Sequence, residues 1–317
     1  MFALKETQDR LDALQRRQTE PIAIVGMACR FPGGADDPEA FWQLLRDGVN
    51  AVREIPAERW DVDEFYDSDP QAPGKMNTRW GGFIDGIEYF DNHFFGISDR
   101  EASRVDPQQR ILLELSWEAL EDAGLPPSSL RGSKTGVFIG IGHSEYGILQ
   151  STDLSLTDAF VGTGTAPCIA ANRISFSFDF SAPSVAVDTA CSSALVAVHL
   201  ACQSLRSGES ELALAGGVNM ILSPLATVNL TKAGFSAADG RIHAFDASAT
   251  GYVRGEGAGV VVLKPLALAI RDRDPIYAVI RGSAVKQNGF SNGLTAPSRQ
   301  AQERVLRQAC AAAKLTP

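Results

Sequence analysis

The apolar positions of this 317-residue chain fall into two alternating patterns. Nearly continuous apolar runs occur at 22–28, 136–142, 184–188, 212–222, 259–263 and 277–285. Runs of this kind, without polar alternation, predict strands buried on both faces. Between them lie helical patterns with readable ends. Asp37 before Pro38 predicts the N-cap and first residue of a helix running toward Gly48. Asp106 before Pro107 predicts the same for a helix ending before Gly124. A third helix is expected from about Cys191 to Arg206, stopping at Ser207-Gly208, and a fourth from Ser298 to about Leu315. Strands alternating with helices predict an α/β fold in which helices cover a mixed or parallel sheet. The Pro- and Asp-rich stretch 60–75 reads as a surface loop.

Ahead of the first strand, Leu4, Leu11 and Leu14 form a short a/d stripe among charged residues. It predicts a helix over 3–18 that is marginal alone. It reads either as a frayed tail or as a coiled-coil or docking segment.

Composition narrows the partners. Apolar residues make up 44%, charged residues 21%, and the net charge is −9. That balance argues against a basic clamp for nucleic acid. No apolar run reaches the ~18–20 residues needed to span a bilayer, and the first twenty residues are too charged for a signal peptide. The five cysteines (Cys29, Cys168, Cys191, Cys202 and Cys310) are scattered, with no CxxC pair. They argue against a disulfide framework or a zinc site and fit a reducing cytoplasm.

The stretch 184–208, SVAVDTACSSALVAVHLACQSLRSG, concentrates the candidate chemistry. A short strand leads through Asp188-Thr189-Ala190 to Cys191 at a helix start, with Ser192 and Ser193 in the first turn. An anionic sulfur there faces the positive end of the helix dipole, and the free N–H groups can stabilise an oxyanion. The helix is apolar nearly all round, which predicts a central buried helix. Position alone leaves two readings open: a nucleophile for covalent acyl transfer, or an inert buried thiol. The other four cysteines lack this setting and read as core residues.

Other motifs fail on inspection. Gly255-Glu256-Gly257-Ala258-Gly259 precedes a strand, whereas a dinucleotide loop follows one, so it reads as a tight turn. The segment 142–147, GHSEYG, is one residue too long for a nucleophile elbow. No metal or nucleotide motif is present.

The stretch DTACSSALVAVHLACQSLRSGE resembles the nucleophile motif of ketosynthase (β-ketoacyl synthase) domains of modular type I polyketide synthases. Four further stretches resemble the same family in the right order: IAIVGMACRFPGG (22–34), residues 94–124, ANRISFSFDF (171–180) and residues 240–266. Asp99 and Val105 stand where proline and methionine are common. The resemblance covers about 21–317. It implies a thiolase-like αβαβα five-layer sandwich, here its N-terminal half plus the start of its C-terminal half. The implied organisation is an N-terminal helix over 1–20, the ketosynthase N-terminal half over 21–268, and the start of the C-terminal half over 269–317.

The resemblance further implies Cys191 as the catalytic residue, acylated by a chain carried on phosphopantetheine. Decarboxylative Claisen condensation with a malonyl-type extender follows. Loading-type domains carry Gln in place of the nucleophile, so Cys191 points to an elongating domain. No directly bound cofactor or metal is implied. The implied partners are an acyl carrier protein, a second copy in a homodimer, and an upstream module met through the N-terminal helix. The family's two histidines lie in motifs that these residues do not contain. Gly162-Thr163-Gly164-Thr165 is preceded by Val161, not His, and His93, His143, His199 and His243 read as surface or core residues. Two alternatives stay open: a fatty-acid-type condensing enzyme, and a dimerising or docking fragment that condenses nothing.

Overall fold

Valine and isoleucine recur in the strand runs, and β-branched side chains pack well on a pleated surface. The computed structural model describes residues 18–317, so the stripe of Leu4, Leu11 and Leu14 lies outside the described residues. The strands are β1 (Ile22–Arg30), β2 (Val52–Glu54), β3 (Trp80–Gly82), β4 (Thr135–Gly140), β5 (Ser184–Val187), β6 (Leu212–Asn219), β7 (Gly257–Pro265) and β8 (Ala278–Ile280). Six form one mixed sheet in the order β5-β4-β6-β7-β1-β8, while β2 and β3 pair separately. Within the large sheet β5, β4 and β6 run parallel, and β7 and β1 alternate direction beside them.

The longer helices are α1 (Pro38–Arg46), α2 (Pro107–Asp122), α3 (Pro167–Phe178), α4 (Ser193–Ser207), α5 (Leu225–Lys232), α6 (Leu266–Asp272) and α7 (Arg299–Ala312). The expected caps form. Asp37 accepts from the Ala40 N–H at 2.8 Å, and Asp106 from the Gln108 N–H at 2.8 Å. Ser298 caps α7 through the Ala301 N–H. Helices α2 and α3 cover one face of the sheet around a core that includes Leu112, Leu115, Val137, Ile139, Ile174 and Leu214. Helix α4 covers the other face with Ala197, Ala201, Cys202 and Leu205. Each fully buried leucine contributes about 1.5–3 kcal/mol relative to exposure, which holds this αβα arrangement against chain entropy.

Two expectations need correction. The runs 184–188 and 277–285 are not buried on both faces, because β5 and β8 are the edge strands and β8 is reduced to three residues. Helices α3 and α4 both reach β5, but its cover is only partial. Among the described residues helix α4 is not buried all round either. It packs on the sheet by one face only, and Leu195 on the outer face is 77% exposed.

The loop after β6 is held by two buried carboxylates. Glu256 accepts from the Ile84 and Ile221 N–H groups at 2.8 and 2.9 Å and pairs with Arg59 at 3.0 Å. Glu145 accepts from the Leu222 and Ser223 N–H groups, each at 2.8 Å. Arg254 bridges Glu145 and Thr227 of α5. Replacing Glu256 with alanine strands two buried N–H groups and a guanidinium, and is expected to lower unfolding stability by about 3–5 kcal/mol; urea denaturation of Glu256→Ala against the unmodified chain measures this.

Candidate active site

Strands β5, β4 and β6 are parallel, so their carboxyl ends open on one edge of the sheet, where ligands of α/β folds bind. The loop 188–192 leaves β5 there, the loop 141–144 leaves β4, and the loop 220–224 leaves β6. The antiparallel β7 begins at the same edge, its Gly257 paired with Asn219. This gathers into one neighbourhood four segments that lie far apart in sequence.

Cys191 lies on the first of these loops and is exposed. Helix α4 begins at Ser193, with Ser192 as its cap, so Cys191 stands two residues ahead of the helix instead of opening it. The turn is tightly tied. Asp188 accepts from the Ala190 N–H at 2.9 Å. The Ser193 hydroxyl accepts from the Thr189 N–H at 2.8 Å and donates to the Ala190 carbonyl at 2.7 Å. Ala190 is held at φ +53°, in the left-handed region. For alanine that costs about 1–2 kcal/mol. A strained residue immediately before a candidate nucleophile is a frequent device for presenting it.

The start of α4 sits directly on the sheet. Gly140 of β4 and Gly217 of β6 are paired in register. A Cβ on Gly140 would stand 2.5 Å from the Ala194 nitrogen, and one on Gly217 would stand 2.7 Å from the Ala194 Cβ. Only two side-chain-free positions, side by side, let the helix approach this closely and carry Cys191 to the sheet edge.

The remaining cysteines separate by environment. Cys29 and Cys202 are buried, and burial pushes each thiol up to about 11. Cys310 is half-buried. Cys168 departs from expectation: it is exposed in the first turn of α3, because the buried face of that helix carries Ala170, Ala171 and Ile174 instead.

The histidines have other partners. His199 Nδ1 is 2.7 Å from the Ser283 hydroxyl, and burial lowers its proton affinity, with the Arg206 charge adding to the effect. His243 pairs with Asp239 at 2.9 Å and His93 with Asp99 at 3.4 Å. His143 is exposed, and its carbonyl accepts from Gln108.

Tyr252 carries no sequence signal of a role. Burial pushes its phenol up, while the Arg254 charge acts in the opposite direction. Its backbone pairs with Phe235 and Ala237. Glu145 and Glu256 also escape sequence reasoning. Their only signal is an acidic residue in a small-residue setting, which means little until burial is known. Among the described residues no group of three His, Cys, Asp or Glu side chains is arranged to hold a metal ion.

Comparison with known proteins places the chain in a family. Residues 19–269 match the family model "Beta-ketoacyl synthase, N-terminal domain" and residues 277–317 match "Beta-ketoacyl synthase, C-terminal domain". A phenolphthiocerol/phthiocerol polyketide synthase chain of Mycobacterium bovis is 53% identical over 298 residues, 94% of this chain and 16% of that protein. A second phenolphthiocerol/phthiocerol polyketide synthase chain, from Mycobacterium tuberculosis, is 52% identical over 310 residues, 98% of this chain and 20% of that protein. The chain therefore spans about a sixth to a fifth of the length of these relatives.

An oxazolomycin ketosynthase domain from Streptomyces albus superposes with a TM-score of 0.89 at 42% identity, covering 94% of this chain and 51% of that one. The ketosynthase from module 6 of the bacillaene synthase of Bacillus subtilis gives 0.84 at 41%, covering 93% and 49%. The α/β fold is thiolase-like, as expected, and the chain belongs to the β-ketoacyl synthase family.

Proposed function

We propose that this chain carries the acyl-accepting site of a polyketide β-ketoacyl synthase, with Cys191 as its catalytic nucleophile. One observation carries the reading: Cys191 alone among the five cysteines stands on a strained turn at the carboxyl edge of the parallel strands, ahead of a helix start. Its thiol attacks the thioester of an acyl chain brought on the phosphopantetheine arm of an acyl carrier protein. The enzyme is thus a condensing acyltransferase that needs no cofactor of its own. Decarboxylative Claisen condensation with a malonyl-type extender completes the reaction. The family resemblance assigns that step to histidines in motifs other than those around His93, His143, His199 and His243.

The proposed organisation has the ketosynthase N-terminal half over 21–268 and the start of the C-terminal half from 269. In this reading the open face of α4, with Leu195, is where the second half of the sandwich packs. The N-terminal segment is assigned to meeting an upstream module. Five free cysteines suit a cytoplasmic setting, and among the described residues no helix is long and apolar enough to cross a membrane.

A homodimer is proposed through the free edge of β5. Among the described residues that strand has a neighbour on one side only, Val185 is 37% exposed, and Phe176 on the adjoining α3 is 87% exposed. An unpaired edge with apolar cover is a template for a second strand.

Three measurements test these assignments. Intact mass spectrometry after incubation with an acyl thioester is expected to show one acyl adduct, lost in Cys191→Ala and kept in Cys202→Ala; labelling that survives Cys191→Ala rejects the nucleophile. Peptide mapping after iodoacetamide at neutral pH is expected to find Cys191 and Cys168 modified and Cys29 and Cys202 spared, since thiols titrating at about 11 present almost no thiolate there. Sedimentation velocity of Val185→Arg is expected to show a dimer converted to monomer; an unchanged dimer places the interface elsewhere.

A further inference from the structure

Ser193 opens α4 two residues after the candidate nucleophile. It is 7% exposed, and its hydroxyl makes the two hydrogen bonds that close the nucleophile turn. Its own N–H donates to the same Ala190 carbonyl at 3.1 Å. Two donors on one residue therefore fix the direction of one carbonyl.

That carbonyl shares a peptide plane with the Cys191 N–H. The peptide is trans, since no peptide bond among the described residues is cis, so C=O and N–H point in opposite directions. Drawing the Ala190 oxygen back onto the helix start turns the Cys191 N–H away from it. Among the described residues no backbone acceptor is hydrogen-bonded to this N–H. The anchor itself cannot shift easily, because the Ser193 carbonyl carbon stands 2.5 Å from where a Gly140 Cβ would be.

We infer that Ser193 is a positioning residue that aims the Cys191 N–H at the oxygen of the incoming thioester. The inference rests on the reading of Cys191 as the acyl acceptor. In the step concerned, the Cys191 sulfur forms a bond to the thioester carbonyl carbon and the carbonyl oxygen becomes an oxyanion facing the Cys191 N–H. The oxyanion then collapses, the bond to the carrier sulfur breaks, and the proton lost by Cys191 ends on the departing thiol. The Ser193 hydroxyl is committed to Thr189 and Ala190 throughout. It sets the orientation of a donor that works only as the oxyanion forms.

The test separates positioning from packing. Acylation from an N-acetylcysteamine thioester is followed by intact mass spectrometry in the unmodified chain, Ser193→Ala, Ser193→Thr and Cys191→Ala. Loss of both hydroxyl bonds is expected to slow saturated acylation in Ser193→Ala about tenfold, with the half-saturating thioester concentration changed by less than about twofold. Alkylation of Cys191 by iodoacetamide forms no oxyanion and is expected to stay within about twofold. Ser193→Thr, which keeps the hydroxyl, is expected to regain most of the acylation rate. Acylation of Ser193→Ala at the unmodified rate overturns the role, as does a Ser193→Thr no faster than Ser193→Ala. Equal losses of acylation and alkylation reduce Ser193 to a packing residue and overturn it too. Acylation that persists in Cys191→Ala is a different failure, removing the nucleophile reading itself.

Discussion

The close backbone approach at the start of α4, against Gly140 and Gly217, is the constraint on which the rest depends. Two strands of a parallel pair lack side chains at the same level, and a helix settles into the gap with Ala194 against both. Everything functional hangs from that contact. It fixes where the turn from β5 must cross to reach the helix, how far Cys191 stands from the sheet edge, and why Ala190 is forced into the left-handed region. The strain at Ala190 persists because the surrounding bonds from Asp188 and Ser193 over-determine it.

A second layer of the same logic surrounds the turn. Loops at the carboxyl edge have few strand bonds to hold them, and here buried carboxylates take over that role. Glu256 and Glu145 reach across more than thirty residues of sequence to collect N–H groups from the loop after β6. Burying an acid is costly unless its oxygens are fully engaged, and both are engaged by N–H donors and by arginine. The result is a loop after β6 held in place at the carboxyl edge of the parallel strands.

Much of this was legible in the order of residues. The caps at Asp37 and Asp106, the six strands of the large sheet and the helix after Cys191 follow from local rules of hydrogen bonding and apolar pattern. The family resemblance rests on motifs spread along the chain, and the family match and the superposed ketosynthases agree with it. The misreadings share one physical cause. Burial on both faces was expected of strands that proved to be edges, and Cys168 was expected in the core. Each depends on which neighbours arrive from elsewhere in the chain, and apolar pattern records only that some cover exists.

The sequence by itself determined the alternation of elements, their ends, and the singular setting of Cys191, because capping, turn chemistry and strand propensity act over a few residues. The tertiary structure decided the rest: that Cys191 stands free of the helix by two residues, that Gly140 and Gly217 lie side by side beneath it, and that Glu145 and Glu256 are staples. The glycine contacts and the carboxylate staples arise where segments more than twenty residues apart meet, and strand order and register, which no local rule encodes, choose the meeting.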